Sequence, residues 1–290
     1  MPTSMKTRPA ILVVLAALAC ACVNGPAAEP GVPELLKQAQ EAAARGRHDE
    51  ALTLADKAIQ LAPKDANAHI ARARTLVAKG DLAGAIKSFG RVLELAPNAA
   101  VVYQWRGETN FKLGRIKESI ADFDQFLRLE PSREPHHWQR GISYYYAGRF
   151  ADGKRQFETH QTVNPQDVEN AVWHFLCNAR LNGLEPARKD LIPISGDTRV
   201  PMKEVQAHFA GKGTAAQVLA AADAAGKTDA DRRGARFYAH LYLGLYFEAA
   251  GDAKKAREHI EKAAKDFSEP HYMGDVARVH LQLMNRLEKK

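Results

Sequence analysis

The sequence contains little cysteine and little tryptophan. Three cysteines and three tryptophans occur among 290 residues, and two of the cysteines, Cys20 and Cys22, lie close to the N-terminus. Beyond that region Cys177 has no second cysteine to pair with, which excludes an internal disulfide framework there. The stability of the chain must therefore come from packing, for which a hydrophobic content of 46% is ample.

The motifs that mark common catalytic and metal sites are also missing. The sequence has no Gly-x-Ser-x-Gly and no His-Glu-x-x-His, and the Gly-Lys-Gly-Thr at residues 211–214 has the wrong order for a phosphate loop. His174 and Cys177 are three residues apart, whereas a structural zinc site needs four ligands. We therefore expect no catalytic residue, no metal and no cofactor. We interpret Cys177 as a buried core residue beside a half-exposed His174.

No uncharged apolar run is long enough to span a bilayer, which takes about 20 residues. Residues 10–21 form a shorter run, preceded by Lys6 and Arg8 and ending in small residues around Cys20 and Cys22. This pattern predicts a signal peptide over residues 1–21 and a tether over residues 22–31. It also resembles the bacterial lipobox, with Ala where Leu is usual at the −3 position. The resemblance implies acylation of Cys20, or alternatively Cys22, and the other hypothesis is a plainly secreted protein.

Charge of one sign does not dominate the chain. The formal net charge of +7 falls by two to +5 if Lys6 and Arg8 leave with the signal peptide. This modest excess favours anionic neighbours such as lipid headgroups or wall polymers. Because no basic cluster is interleaved with aromatic residues, we expect no nucleic acid partner. The predicted location is the periplasm or cell envelope, with a lipid anchor in the membrane.

Glycine and proline recur at one fixed interval of 34 residues. The glycines are Gly46, Gly80, Gly114 and Gly148, and the prolines are Pro63, Pro97, Pro131 and Pro165. Self-similarity at this period indicates a helical-repeat array. Apolar residues between them repeat at helical spacing, which predicts helix, turn at glycine, helix and stop at proline.

This layout resembles the tetratricopeptide repeat (TPR), a unit of two helices. The family has a small residue at unit position 8 and an aromatic or apolar residue at position 24. Position 8 is occupied by Ala39, Ala73, Gly107 and Gly141, and position 24 by Ala55, Phe89, Phe123 and Phe157. The resemblance implies that helices of a pair approach closely and that the position 24 ring wedges against the next pair. Position 27 departs from the family's small-residue rule.

The repeat register is lost in the middle of the chain and returns near its end. Four units cover residues 32–165, and residues 166–231 are predicted to form a degenerate repeat and an irregular helical insertion. Gly244, Gly251 and Ile260 fit a last unit within residues 232–290, where residues 271–287 form a capping helix. The predicted fold is an all-α TPR superhelix of about five regular repeats.

In the TPR family, five positions of each first helix line a concave groove that binds peptides or proteins. Transferred to this chain, they give a predicted set of partner-binding residues: Asn67, Ile70, Arg74, Gln104, Glu108, Phe111, Trp138, Ile142, Tyr145 and Tyr146. The set is mostly apolar or mixed, so an apolar or mixed peptide segment is the expected partner.

The order of repeats and the final unit, residues 242–252, resemble the NlpI-like lipoproteins of the bacterial envelope. Those are TPR scaffolds, often dimeric, that hold peptidoglycan hydrolases. The resemblance implies a non-catalytic envelope adaptor for protein partners. Two alternatives stay open: an enzyme with a site in segment 184–213, and a structural subunit that forms a homodimer through its last helix.

We predict that Cys20→Ser abolishes incorporation of radiolabelled palmitate, because the substitution removes the thiol that would be acylated. Cys22→Ser is the matched control and should label as the wild type does. The reverse pattern would move the anchor to Cys22, and an unlabelled wild type would favour the secreted form.

Overall fold

The computed structural model describes residues 30–287, which contain helices and loops but no β-strand. Fifteen α-helices follow one another in this range: α1 Val32–Ala44, α2 His48–Leu61, α3 Ala66–Lys79, α4 Leu82–Leu95, α5 Ala100–Lys112, α6 Ile116–Leu129, α7 Trp138–Tyr146, α8 Phe150–Gln161, α9 Val168–Asn182, α10 Leu184–Lys189, α11 Met202–Phe209, α12 Ala215–Asp223, α13 Asp229–Ala249, α14 Ala253–Glu261 and α15 Tyr272–Leu287. A 3₁₀ helix, Pro131–His136, precedes α7, and a π-helical segment, Lys262–Asp266, follows α14. The predicted all-α repeat fold is confirmed.

The predicted signal peptide lies outside the described residues. So do Cys20, Cys22 and most of the predicted tether.

The period glycines make the turns between paired helices. Gly46, Gly80, Gly114 and Gly148 have φ angles of 74°, 88°, 68° and 73°. This left-handed region is open to glycine at little steric cost, whereas a β-carbon is disfavoured there. The turns therefore occur where the 34-residue period predicts them.

Each helix pair closes on a contact between a small residue and a ring. A β-carbon added to Gly107 on α5 would lie 2.7 Å from the ring of Phe123 on α6, and the same distance separates Gly141 from Phe157. Both rings are fully buried. The absence of a side chain at position 8 thus lets the two helices approach to ring contact.

The late repeat closes in the same way. A β-carbon on Gly244 of α13 would meet Ile260 of α14 at 2.7 Å, and Gly251 turns between the two helices with φ of 81°. Helix α13 is longer than the other first helices and begins with a capping box between Thr228 and Asp231. The extra turns carry it back against α12.

The position 24 rings also reach the next helix pair, as predicted. Ring centroids are 6.1 Å apart for Phe89 and Trp105, 4.7 Å for Phe123 and His137, and 6.3 Å for Phe157 and Trp173. Aromatic contacts at such separations stabilise by about 0.5–1.5 kcal/mol beyond area burial. One side chain per unit therefore joins both helices of a pair and the following pair.

Helix α9 is enclosed by the irregular segment. Helices α8, α10, α11 and α13 pack around it, and both Cys177 and His174 are buried. The expectation of a half-exposed His174 is therefore wrong, because α8 and α10 approach it from two sides. Its Nε2 atom lies 3.4 Å from a carboxylate oxygen of Glu158, and burial lowers the pKa of its ring.

Helix α15 does more than the predicted cap. It packs on α14 and the π-helical segment, and it also contacts α5 of the third unit. Gln282 and Arg286 lie beside the turn at Gly114, where a β-carbon would meet the Gln282 side chain at 3.3 Å. The C-terminal helix therefore crosses from the last repeat to the third.

We predict that Gly107→Ala destabilises the fold. Overpacking against a buried ring costs about 1–3 kcal/mol and better helix propensity returns up to about 1 kcal/mol, so a net loss of about 1–2 kcal/mol is expected. Gly90→Ala on α4 is the matched control, since its β-carbon would meet nothing nearer than 3.9 Å. That variant should gain about 0.5–1 kcal/mol. Urea unfolding measures both, and equal effects would contradict the close-contact account.

Candidate partner-binding surface

The structure divides the ten predicted groove residues into an open stretch, a covered stretch and a cavity. The open stretch lies on α3. Asn67 and Arg74 are exposed and Ile70 is half-buried. The Arg74 guanidinium lies 5.4 Å from the ring centroid of Trp105, a cation–π contact that keeps the side chain along the surface.

The covered stretch lies on α5 and α7 beneath α15. Phe111 is fully buried, and its ring stacks on Tyr272 with centroids 5.2 Å apart. The hydroxyl of Tyr146 is hydrogen-bonded to Nδ1 of His280 at 3.0 Å. The sequence predicts these side chains as partner contacts, whereas in the structure the chain's own last helix takes that position.

Helix α13 covers the neighbouring tyrosine. The hydroxyl of Tyr145 donates a hydrogen bond of 3.2 Å to Glu248, and burial raises the pKa of this tyrosine well above its usual range. Glu108 is half-buried near the ion pair of Lys112 with Asp275, and burial raises the pKa of the Glu108 carboxyl. A partner therefore has no access to Tyr145 while α13 is in place.

A buried histidine fixes Gln104. The backbone N–H of Arg140 donates to Nδ1 of His137, so Nε2 of the ring carries the proton and donates to Gln104 at 2.7 Å. The Gln104 amide in turn donates to Glu108 at 2.9 Å. Burial holds the ring neutral and lowers the pKa of His137 to about 3.

The cavity has a volume of about 580 Å³ and contains the last two predicted residues, Trp138 and Ile142. It is bounded by α7, α8 and α9 on one side and by α13 and the start of α15 on the other. Its aromatic walls are Trp138, Phe157, Trp173, Tyr238 and Tyr272. The size is typical of a pocket for a small ligand or a peptide side chain.

Sequence reasoning missed most of the cavity. Trp173 stands 16 residues after Phe157, just as Trp105 stands 16 after Phe89, and this repeated aromatic spacing could have indicated it. Tyr238 and Tyr272 carry no comparable local pattern. Their place depends on α13 and α15 folding back across the repeats.

The acidic residues at the cavity are already paired. Arg199 lies 2.6 Å from Asp167, 2.5 Å from Glu169 and 2.7 Å from Asp197. Hydrogen bonding to Asp197 raises the pKa of this guanidinium, and Glu169 also accepts a hydrogen bond from Tyr242. The carboxylates therefore have little capacity left for an incoming cation.

The remaining surfaces offer little catalytic chemistry. Among residues 30–287, no three His, Cys, Asp or Glu side chains gather as a metal site would require. A cavity of about 350 Å³ beside the irregular segment is lined by Lys203, Glu204 and Lys212 among small residues, with no histidine. None of the helices in the described part of the chain is long and apolar enough to cross a membrane.

Stacked helix pairs that turn at glycine and close on ring contacts define an α-solenoid, a class of fold that presents extended binding surfaces. A sequence model of the tetratricopeptide repeat matches residues 42–108, and another of the same repeat matches residues 100–133. The chain belongs to the tetratricopeptide repeat family.

Solved structures share the fold at low sequence identity. A tetratricopeptide repeat protein from Parabacteroides merdae superposes with a TM-score of 0.58 at 15% identity, covering 87% of this chain and 98% of that one. MamA from Desulfovibrio magneticus RS-1 superposes with a TM-score of 0.50 at 18% identity, covering 55% of this chain and 89% of its own. Such identities show the fold alone. No curated protein matches the sequence.

We predict that His137 contributes to acid destabilisation. Its folded-state pKa of about 3 lies below the value of about 6.5 for an unfolded histidine. Between these values only the unfolded chain takes up the proton, so stability present above pH ~6.5 is lost as the pH falls toward ~3. From about pH 7.5 to about pH 5, this site should lower the free energy of unfolding by about 2 kcal/mol.

Urea unfolding at these two pH values measures the contribution. His137→Gln removes the ionisable ring, so it should lose about 2 kcal/mol less than the wild type over the interval. His136→Gln, at the exposed neighbouring position, should follow the wild type. The same pH dependence in all three proteins would show that His137 is not the titrating group.

Proposed function

We propose that this TPR scaffold is an exported, non-catalytic adaptor that gathers protein partners at the cell envelope, with a lipid on Cys20 as its membrane anchor. Support for export comes from the charged and apolar pattern of residues 1–21. Support for an adaptor role comes from the repeat family, whose members are interaction modules. A link to peptidoglycan enzymes rests on the resemblance to NlpI-like lipoproteins.

The single observation that carries the adaptor role is the cavity beside Trp138. It is an aromatic recess of about 580 Å³ in the array, bounded by the first helices of two consecutive units. Tryptophan and tyrosine dominate binding energies at protein interfaces because they offer large contact area at small entropic cost. The exposed residues Asn67 and Arg74 extend the proposed surface along α3.

The two alternative functions receive less support. An enzyme in segment 184–213 would need convergent acid and base groups, and the cavity at that segment presents two lysines and one glutamate. A homodimer through the last helix would need an exposed apolar side on α15. Its apolar residues Val276, Ala277 and Val279 are buried against the chain itself.

We expect Trp138→Ala and Arg74→Ala to reduce capture of partners from detergent-solubilised envelope. Each removes contact area from one part of the proposed surface, and a central aromatic or arginine typically contributes about 2 kcal/mol or more. Arg91→Ala is the matched control, because Arg91 is exposed on α4, a second helix.

Affinity purification followed by mass spectrometry compares the four proteins, with thermal unfolding as the check that each variant is folded. Equal capture by the wild type and both surface variants would remove these residues from the proposed surface. Loss of capture in Arg91→Ala as well would point to a different face of the array.

A further inference from the structure

Two buried polar atoms at the cavity lack hydrogen-bond partners. They are the indole nitrogen of Trp173 and the side-chain oxygen of Asn170. The two residues are only 2% and 3% exposed, and both line the cavity. Leaving a buried donor or acceptor unpaired is unfavourable, so such atoms at a cavity indicate an absent ligand.

The orientation of the Asn170 amide is fixed by its surroundings. Its nitrogen donates to the backbone oxygen of Phe157 at 3.1 Å and to Gln161 at 2.8 Å. Both contacts are acceptors, so the amide nitrogen must face them. The oxygen is therefore the atom left without a partner, and it can only accept.

Trp173 and Asn170 are three residues apart on α9, which places them on one face of the helix about 5–6 Å apart. The pair offers one donor and one acceptor side by side. In an extended peptide, the N–H and C=O of the same residue point to the same side, as they do in a β-ladder. We propose that the cavity binds one extended residue of a partner peptide, with its C=O on the Trp173 indole and its N–H on Asn170.

The same geometry disfavours a lone acetamido group, as in an amino sugar. The C=O and N–H of one trans amide point in opposite directions and do not meet neighbouring groups on one helix face. A sugar also needs several polar partners for its hydroxyls. Asp167 and Glu169 are already bound to Arg199, and His160 is bonded to the backbone oxygen of Pro135.

The walls decide the side chain of the bound residue. Trp138, Tyr238 and Tyr272 present aromatic surface around the cavity, and the nearby carboxylates are neutralised by Arg199. An apolar side chain gains from this lining, whereas a cation finds no free carboxylate. The occupant is therefore an extended segment with one large apolar residue, and this inference rests on the proposed adaptor function.

The test uses the ¹⁵N-labelled full chain and N-acetyl-L-leucine N-methylamide, which carries one apolar residue between two peptide groups. The three indole N–H signals are assigned with Trp105→Phe, Trp138→Phe and Trp173→Phe. We expect the probe to move the Trp173 signal downfield, to perturb Trp138 and to leave Trp105 in place. N-acetylglucosamine and tetramethylammonium should have no such effect.

A titration followed on the Trp138 signal gives the affinity. Trp173→Phe keeps a ring but removes the donor, so binding should weaken by about 3- to 10-fold. Trp105→Phe is the matched control and should bind as the wild type does. An unmoved Trp173 signal, unchanged affinity in Trp173→Phe, or a larger response to the sugar or the cation would overturn the inference.

The two proposals fail separately. If partners are captured while the probe leaves Trp173 unmoved, the adaptor function stands and the peptide register is refuted. If the probe binds as expected while no envelope protein is captured, the cavity chemistry stands and the adaptor function is refuted.

Discussion

The fold depends on one contact, in which a large side chain at unit position 24 sits on a small residue of the paired helix. At Gly107 and Phe123 no β-carbon intervenes, so the helices approach until backbone meets ring. The same ring then touches the following pair, as Phe157 touches Trp173. Because interiors are close-packed, this one spacing fixes both the distance within a pair and the stacking between pairs. A surface built on it is rigid and repeats with the period of the sequence.

The sequence was sufficient for everything that this periodic contact determines. Turn glycines, helix pairs and the late repeat at Gly244 follow from residues less than one unit apart. The position of α15 on α5 does not, because it joins residues such as Phe111 and Tyr272 that are far apart in the chain and in no common register. An aromatic residue that packs on a distant helix and one that waits for a partner look the same in sequence. Tyr145 and Tyr146 were predicted as binding residues for that reason, and the structure shows them covered.

The fold-back of α13 and α15 changes the kind of surface that the repeats present. An open groove offers shallow contacts along its length, whereas a groove closed over its middle leaves a recess at one end and an open stretch at the other. The recess is dry enough to bury aromatic side chains and yet retains unpaired polar atoms on Asn170 and Trp173. Such a combination gives specificity, since a ligand that leaves these atoms unpaired loses affinity.

Whether a partner would displace α15 can be argued from what holds it. The helix makes a ring stack with Phe111, a hydrogen bond to Tyr146 and an ion pair of 3.3 Å between Asp275 and Lys112. The stack and the hydrogen bond each contribute about 1 kcal/mol, and burial of its apolar side adds about 1.5–3 kcal/mol for each large residue. A peptide that took its place would have to replace all of these contacts and also order itself. Binding around α15, in the recess and along α3, avoids that competition, so the preformed shape of the surface is the one that a partner meets.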